Sequence, residues 1–216
     1  MMNPAYRPPR TPKLLYKVNT PEQVYDIVTG CDADIGGTST VKFDLDERPD
    51  VNAPLGKPAT GKFWGMMRLG IRPELRGKVR GGYAGFRNRL RPTLFGNMTD
   101  DLSFHDFLAL RLRVGGHPRT RNSYFVNVQV DTSYKTDLWQ HRLAFHRDDG
   151  GWEDIFLPLD AFVLTNTGEV ASHQIKMDRA KVKSVGISIL GGNTGIEGPY
   201  ELGVDEIRAC IDVDEP

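Results

Sequence analysis

Short runs in which every second residue is apolar recur along this chain, each closed off by glycine or proline, and this rhythm restricts the fold more than any other feature. Tyr124, Val126, Val128 and Val130 are apolar while Asn127 and Gln129 fall between them, a period of two that an extended strand with one buried face satisfies. Comparable runs at 41–45, 63–69, 83–87, 107–114, 138–145, 152–157, 185–190 and 200–211 bring the expectation to about nine strands. In the 107–114 run, Phe107, Leu108, Ala109 and Leu110 are apolar on both faces and the later residues alternate, the pattern of a central strand leaving the core. The Gly-Gly pairs at 36, 81, 115, 150 and 191 mark connections, and their unequal intervals argue against a repeat.

Glycine, at 23 of 216 residues, is abundant, and helical stretches rich in Ala, Leu, Glu and Lys are missing. Many short strands with little helix predict an all-β fold, a two-layer antiparallel sandwich or jelly roll. A single β-sandwich domain is expected over 20–213, preceded by a flexible, basic, proline-rich arm over 1–19. That arm carries Arg7, Arg10, Lys13 and Lys17, no acid, and Pro4, Pro8, Pro9 and Pro12. Its charge suits mitochondrial import, whereas its prolines would break an import helix. Thr20, Pro21 and Gln23 predict a capping box opening a short helix to about Val28. Residues 46–61 read as a surface loop without structure of its own, and 171–182 is the other candidate helix. Cys31 and Cys210 are expected to be free thiols.

Chemistry-bearing motifs fail on inspection. Gly56-Lys57-Pro58-Ala59-Thr60-Gly61-Lys62 matches a phosphate-binding loop, but Phe63 stands where a hydroxyl must bind magnesium, and a strand follows where a helix is needed. The glycines at 191, 192, 195 and 198 lead into Pro199 and a strand, as a hairpin loop does. Asp32 and Asp34 begin like a calcium loop, yet Gly36 replaces the third oxygen donor, so an Asx-stabilised turn is the plainer reading. His141 and His146 are five apart and would lie on opposite faces of a strand. Asn97-Met98-Thr99 matches a glycosylation acceptor without a secretory signal. No catalytic, cofactor-binding or metal-binding residue is therefore assigned. A hydrolase using loop carboxylates would need two acids facing each other across a cleft.

Charge gives a better lead. Lys plus Arg equals Asp plus Glu at 28 each, which argues against nucleic acid as a partner. No apolar run approaches the roughly 20 residues of a membrane-spanning helix. Within 57–91, however, ten basic residues meet the single acid Glu74. Arg72, Arg76, Lys78, Arg80, Arg87, Arg89 and Arg91 are the candidates for gripping a protein partner, since guanidinium groups bind carboxylates bidentately. The plainer reading is a solvated loop balanced by Asp205, Glu206, Asp212, Asp214 and Glu215. Of the three tryptophans, Trp152 has the flanks of a buried strand, while Trp139, in polar company, is the expected exposed ring for a protein or a sugar.

Several segments together resemble the thirty-kilodalton complex I intermediate-associated protein family: Asp32-Ala33-Asp34-Ile35-Gly36-Gly37-Thr38-Ser39, Gly61-Lys62-Phe63-Trp64-Gly65, Gly82-Tyr83-Ala84-Gly85-Phe86-Arg87, Trp152 through Phe162, and Gly198 through Ile207. The resemblance covers roughly 24–211. It implies a galactose-binding-like jelly roll and a non-enzymatic assembly factor of respiratory NADH:ubiquinone oxidoreductase, without a cofactor. It further implies a place in the mitochondrial matrix against the inner membrane, holding a membrane-arm intermediate together with other assembly factors. The shape also leaves a carbohydrate-binding module, using Trp139, as the alternative.

Overall fold

Tyr124, Val126, Val128 and Val130 are all buried, whereas Phe125, Asn127 and Gln129 are half-buried on the opposite face, so the alternation in sequence is an alternation in space. The computed structural model describes residues 11–213 apart from 95, 135 and 193. In chain order its regular elements are β1 (Lys13–Lys17), α1 (Pro21–Tyr25), β2 (Ile27–Cys31), β3 (Thr40–Asp46), α2 (Pro49–Asn52), β4 (Thr60–Met67), β5 (Tyr83–Asn88), β6 (Pro92–Thr93), β7 (Gly96–Asn97), β8 (Phe107–Gly116), β9 (Tyr124–Val130), β10 (Asp137–Arg142), β11 (Glu153–Pro158), β12 (Val163–Asn166), β13 (Glu169–Val170), β14 (Val182–Leu190) and β15 (Gly198–Cys210).

Two antiparallel sheets carry the fold. One runs β11-β8-β15-β4-β3, with β1 also paired to β15; the other runs β13-β12-β10-β9-β14-β5-β2. Their facing sides share one apolar core. Phe63 of the first sheet and Phe86 of the second meet as tilted rings with centroids 4.9 Å apart, and Phe43 and Tyr200 extend the cluster at 4.8 and 5.1 Å. The expected all-β jelly-roll sandwich is what forms. As expected for a central strand, β8 lies between β11 and β15.

Four local expectations are corrected. The arm does not run to residue 19: β1 pairs with β15 from Lys13↔Ala209 to Lys17↔Glu206, Val18 is buried, and its amide donates to the Asp205 carbonyl at 2.8 Å. Residues 1–10, with Arg7, Arg10, Pro4, Pro8 and Pro9, lie outside the described residues, as do Asp214 and Glu215. Helix α1 ends at Tyr25 because Ile27–Cys31 is drawn into pairing with β5, and Thr20, although it is the N-cap, makes no side-chain cap bond, while Gln23 Oε1 accepts from the Asn19 amide at 2.7 Å. The 46–61 segment holds α2 and the start of β4. There Asn52 is buried, donating to the Asp46 carbonyl at 2.7 Å and accepting from Thr60 Oγ1 at 2.9 Å, because a buried amide must find partners. Residues 171–182 form only a one-turn 3-10 segment, Arg179–Lys181. Gln174 works there as a strand neighbour, its amide accepting from Leu164 N and donating to Leu164 O at 2.8 and 2.9 Å. Among the described residues neither Cys31 nor Cys210 forms a disulfide, as expected.

Candidate functional site

The two sheets turn very different outer faces to solvent. On the β11-β8-β15-β4-β3 sheet the charges cancel one another. Arg48 bridges Asp46 and Glu201 at 2.5 and 2.8 Å, Arg113 also reaches Glu201, and Arg111 holds Asp154 through two bonds at 2.9 Å. Burial pushes the Glu201 carboxyl up, but the two guanidinium groups outweigh it and hold it below the usual carboxylate range. Trp64 lies between Lys42 and Lys62, 4.9 and 5.2 Å from its ring, and donates to Asp44 at 2.7 Å. Lys57, the lysine of the loop-like motif, is bound to the fully buried Asp205 at 2.6 and 2.7 Å.

The outer face of the seven-stranded sheet is instead a concave trough of about 330 Å³, lined from β2, β5, β14, β9 and β10. Its floor lacks side chains where Gly30 pairs with Gly85 and where Gly186 pairs with Arg87. A Cβ on Gly186 would come within 2.1 Å of the Phe86 carbonyl, so that position tolerates only glycine. Asn127, Gln129, Ser184 and Thr136 line the walls, with Gln140 donating to Asn127 at 2.7 Å and Asn127 donating to Ser188 at 3.0 Å. Tyr83 reclines along its own strand, its hydroxyl reaching 2.9 Å from where a Gly85 Cβ would stand. Burial raises the Tyr83 hydroxyl above its ordinary range, and the charge of Arg87 pulls it the other way. Among the described residues lining the trough there is no carboxylate, histidine or thiol, and Arg87 is its one charge.

A basic rim adjoins one end of the trough. The turn that opens with Asp32 builds its base: Asp32 is buried and accepts from Ser39 N and Oγ at 2.9 and 3.0 Å, from Tyr83 N at 3.3 Å and from Gly82 N. These donors satisfy both oxygens, which is the work of a turn-capping carboxylate. Gly36, with φ of 103°, closes the turn and accepts from Arg72 N at 3.0 Å, and a Cβ there would strike Leu75. On this base sit Arg72, Arg76 and Lys78, all exposed. Arg80 pairs with Glu169 at 3.0 Å. Among the described residues no carboxylate lies within ion-pairing distance of Arg72, Arg76 or Lys78.

The basic candidates therefore divide. They are not one loop, because Ala84 and Phe86 are buried and draw 83–88 into the sheet as β5. Arg72, Arg76, Lys78 and Arg80 form the rim before that strand, and Arg87 lies in the trough. Arg89 and Arg91 come after it, where Arg89 stacks 5.0 Å from the Tyr25 ring and Arg91 pairs with Asp100 at 2.5 Å. Trp139 is corrected outright: it is 1% exposed, because its register opposite Val128 points the indole into the core, and its Nε1 donates to Ile175 O at 3.4 Å. Trp152 is half-buried and donates to the Val51 carbonyl at 2.8 Å. Sequence reasoning missed the trough residues. The alternation around Asn127 and Gln129 had already turned them outward, but curvature leaves no mark in sequence.

Among solved structures, the family 11 carbohydrate-binding module of the cellulosomal cellulase Lic26A-Cel5E of Clostridium thermocellum aligns over 95% of this chain and 97% of its own, with TM-score 0.60 and 11% identity. The Clostridium thermocellum family 11 module in complex with a beta-1,3-1,4-mixed-linked tetrasaccharide aligns over 92% and 95%, with TM-score 0.58 and 11% identity. The fold is thus an antiparallel jelly-roll sandwich of the shape these modules have. At that identity the likeness is one of fold.

Sequence carries the family. The model of Complex I intermediate-associated protein 30 (CIA30) matches residues 16–204, and the chain belongs to that family. A Neurospora crassa protein named "Complex I intermediate-associated protein 30, mitochondrial" is 37% identical over 94% of this chain and 75% of its own length. A Mus musculus protein of the same name is 26% identical over 61% and 38%. Among the described residues no helix is long and apolar enough to cross a membrane.

Proposed function

We propose that this protein is a non-catalytic assembly factor that holds an intermediate of respiratory complex I, in mitochondria, through the basic rim and the outer face of its seven-stranded sheet. Family membership and the names of its relatives support the role. The carrying observation is the contrast between faces: one sheet compensates its own charges, while the other offers an open trough beside Arg72, Arg76 and Lys78 with their charges unmatched. Unmatched cations steer an oppositely charged partner and fix its register. A trough lined by amides, hydroxyls, a few apolar side chains and one guanidinium suits binding rather than turnover, since acid–base and nucleophilic chemistry need a titratable pair within reach. The partner is a membrane-arm intermediate with its companion assembly factors, and the place is the matrix side of the inner membrane, reached peripherally.

Affinity purification of the tagged protein from mitochondria tests this. Complex I subunits and other assembly factors are expected among the captured proteins of wild type. They should be depleted several-fold in R72E/R76E/K78E, with the melting temperature unchanged. Equal capture by the triple variant would remove the rim from the interface, and absence of complex I components from the wild-type eluate would end the proposal.

A further inference from the structure

Arg87 is the cation of the trough. It lies in the trough rather than on a solvated edge, and its hydrogen bond to the neighbouring Asn88 carbonyl is a long one, 3.2 Å. No carboxylate pairs with it among the described residues, in contrast to Arg48, Arg111 and Arg113 on the opposite sheet. The groups around it are uncharged: the Tyr83 hydroxyl, Asn127, Gln129, Ser184 and Thr136 can hydrogen-bond, and Val28 and Leu138 add apolar surface. A guanidinium in such a setting lacks only its anion, and a carboxylate matches its fork of donors.

The floor selects the shape of what carries that carboxylate. Gly30, Gly85 and Gly186 keep the floor low across three neighbouring strands, β2, β5 and β14, with the Tyr83 hydroxyl lying 2.9 Å from where a Gly85 Cβ would stand and Asp34 Oδ2 3.7 Å from where a Gly30 Cβ would. The volume of about 330 Å³ is near the small end for ligand pockets, roughly 300–1,000 Å³, and holds a short extended segment rather than a folded surface. An extended chain turns every second side chain to the same face, about 7 Å apart, so one acidic residue can point down to Arg87 while its neighbours remain within the field of the basic rim. A basic segment would be repelled, and an apolar one would strand the hydrogen-bonding walls without partners.

Resting on the reading of this face as the partner-holding surface, we infer that the trough is a docking site for an extended acidic polypeptide segment, with Arg87 binding one of its carboxylates above the low floor of β2, β5 and β14. The test is amide chemical-shift titration of the isotope-labelled full chain with an acetylated, amidated hexaglutamate peptide, its hexaglutamine counterpart, and a β-1,3-1,4-linked glucotetraose. Hexaglutamate is expected to shift the amides of Gly85, Arg87, Asn127 and Gly186. R87Q should weaken its binding by at least tenfold and R87K by less, because lysine supplies the charge without the fork. Hexaglutamine is expected to leave these amides unmoved.

Three results would overturn the inference: hexaglutamate shifts confined to 72–80, equal shifts from hexaglutamine, or movement of the trough amides by the glucan and not by the acidic peptide. None of them would touch the proposed function, which the captured proteins decide. Should R87Q fail to fold, R87K and the peptide comparison on wild type still separate these outcomes from the expected one.

Discussion

Arg80 and Glu169 meet at 3.0 Å, although the strand after Arg80 and the strand that holds Glu169 are separated by β14, β9, β10 and β12 in the sheet. A flat sheet would hold those two strands about 24 Å apart, at about 4.8 Å per step, so sheet curvature and the reach of the loop before β5 together bring the far edge to the rim. Both side chains are largely exposed, and such pairs contribute at most about 1 kcal/mol. E169Q should therefore leave the urea midpoint nearly unchanged, while releasing Arg80 for a partner's carboxylate and raising capture of complex I components. Reduced capture would mean that the pair supports the rim instead of competing for it.

Lys57 and Asp205 form the opposite kind of pair. Asp205 is fully buried and holds Lys57 at 2.6 Å and the Asn19 amide at 2.9 Å, which ties the N-terminal segment and the 46–61 segment to β15. K57M would leave a buried carboxylate short of its cation, and the expected loss is about 3 kcal/mol in equilibrium denaturation. K57M/D205L should recover part of it, because the uncompensated charge is then gone. A K57M protein as stable as wild type would show that the Asn19 contact suffices.

These two lysine and arginine pairs mark where sequence reasoning succeeds and stops. Strand periodicity located β9 to the residue and put Asn127 and Gln129 on the outer face, because a half-buried strand has to alternate. It missed β1, β2, β12 and β13, which are five residues or fewer and lie at or next to sheet margins, and the two-residue hairpin strands β6 and β7, where little apolar patterning is required. Trp139 misled because polar neighbours at 140 and 142 belong to the other face of the same strand; reading it with Val128, its cross-strand partner, would have buried it. Lys57 looked like phosphate chemistry because local spacing is blind to an Asp205 lying 148 positions away.

Acid should weaken the fold through Arg48. Its hydrogen bonds hold the Asp46 carboxyl below its ordinary value of 3.8, against the opposing effect of burial, and together with Arg113 it does the same for Glu201 against an ordinary value of 4.5. Groups depressed in the folded state bind fewer protons than in the unfolded chain. Their contribution is thus complete above about pH 4.5 and is lost as pH falls through the folded values. R48M should cost roughly 1 kcal/mol at neutral pH, and its denaturation midpoint should converge on that of wild type as pH falls below 4. Parallel curves at all pH values would assign the loss to packing of the arginine stem.

Arg91 and Arg76 separate structural charge from recognition charge, although both fell within one basic stretch of sequence. Arg91 already has its anion in Asp100, which Lys13 also approaches at 3.2 Å, so R91E sets a carboxylate against a carboxylate and should lower stability by about 1 kcal/mol while capture persists. The rim behaves in the reverse sense. R72E/R76E/K78E removes cations that no internal carboxylate compensates, so the fold should be indifferent, and capture by wild type should itself weaken as salt shortens the screening length from about 8 Å at physiological ionic strength to about 3 Å at 1 M. Thermal melts and capture at the two salt concentrations check both halves. If R91E lost partner proteins as completely as the rim variant did, the interface would extend along both ends of β5, and the basic stretch would act as one surface after all.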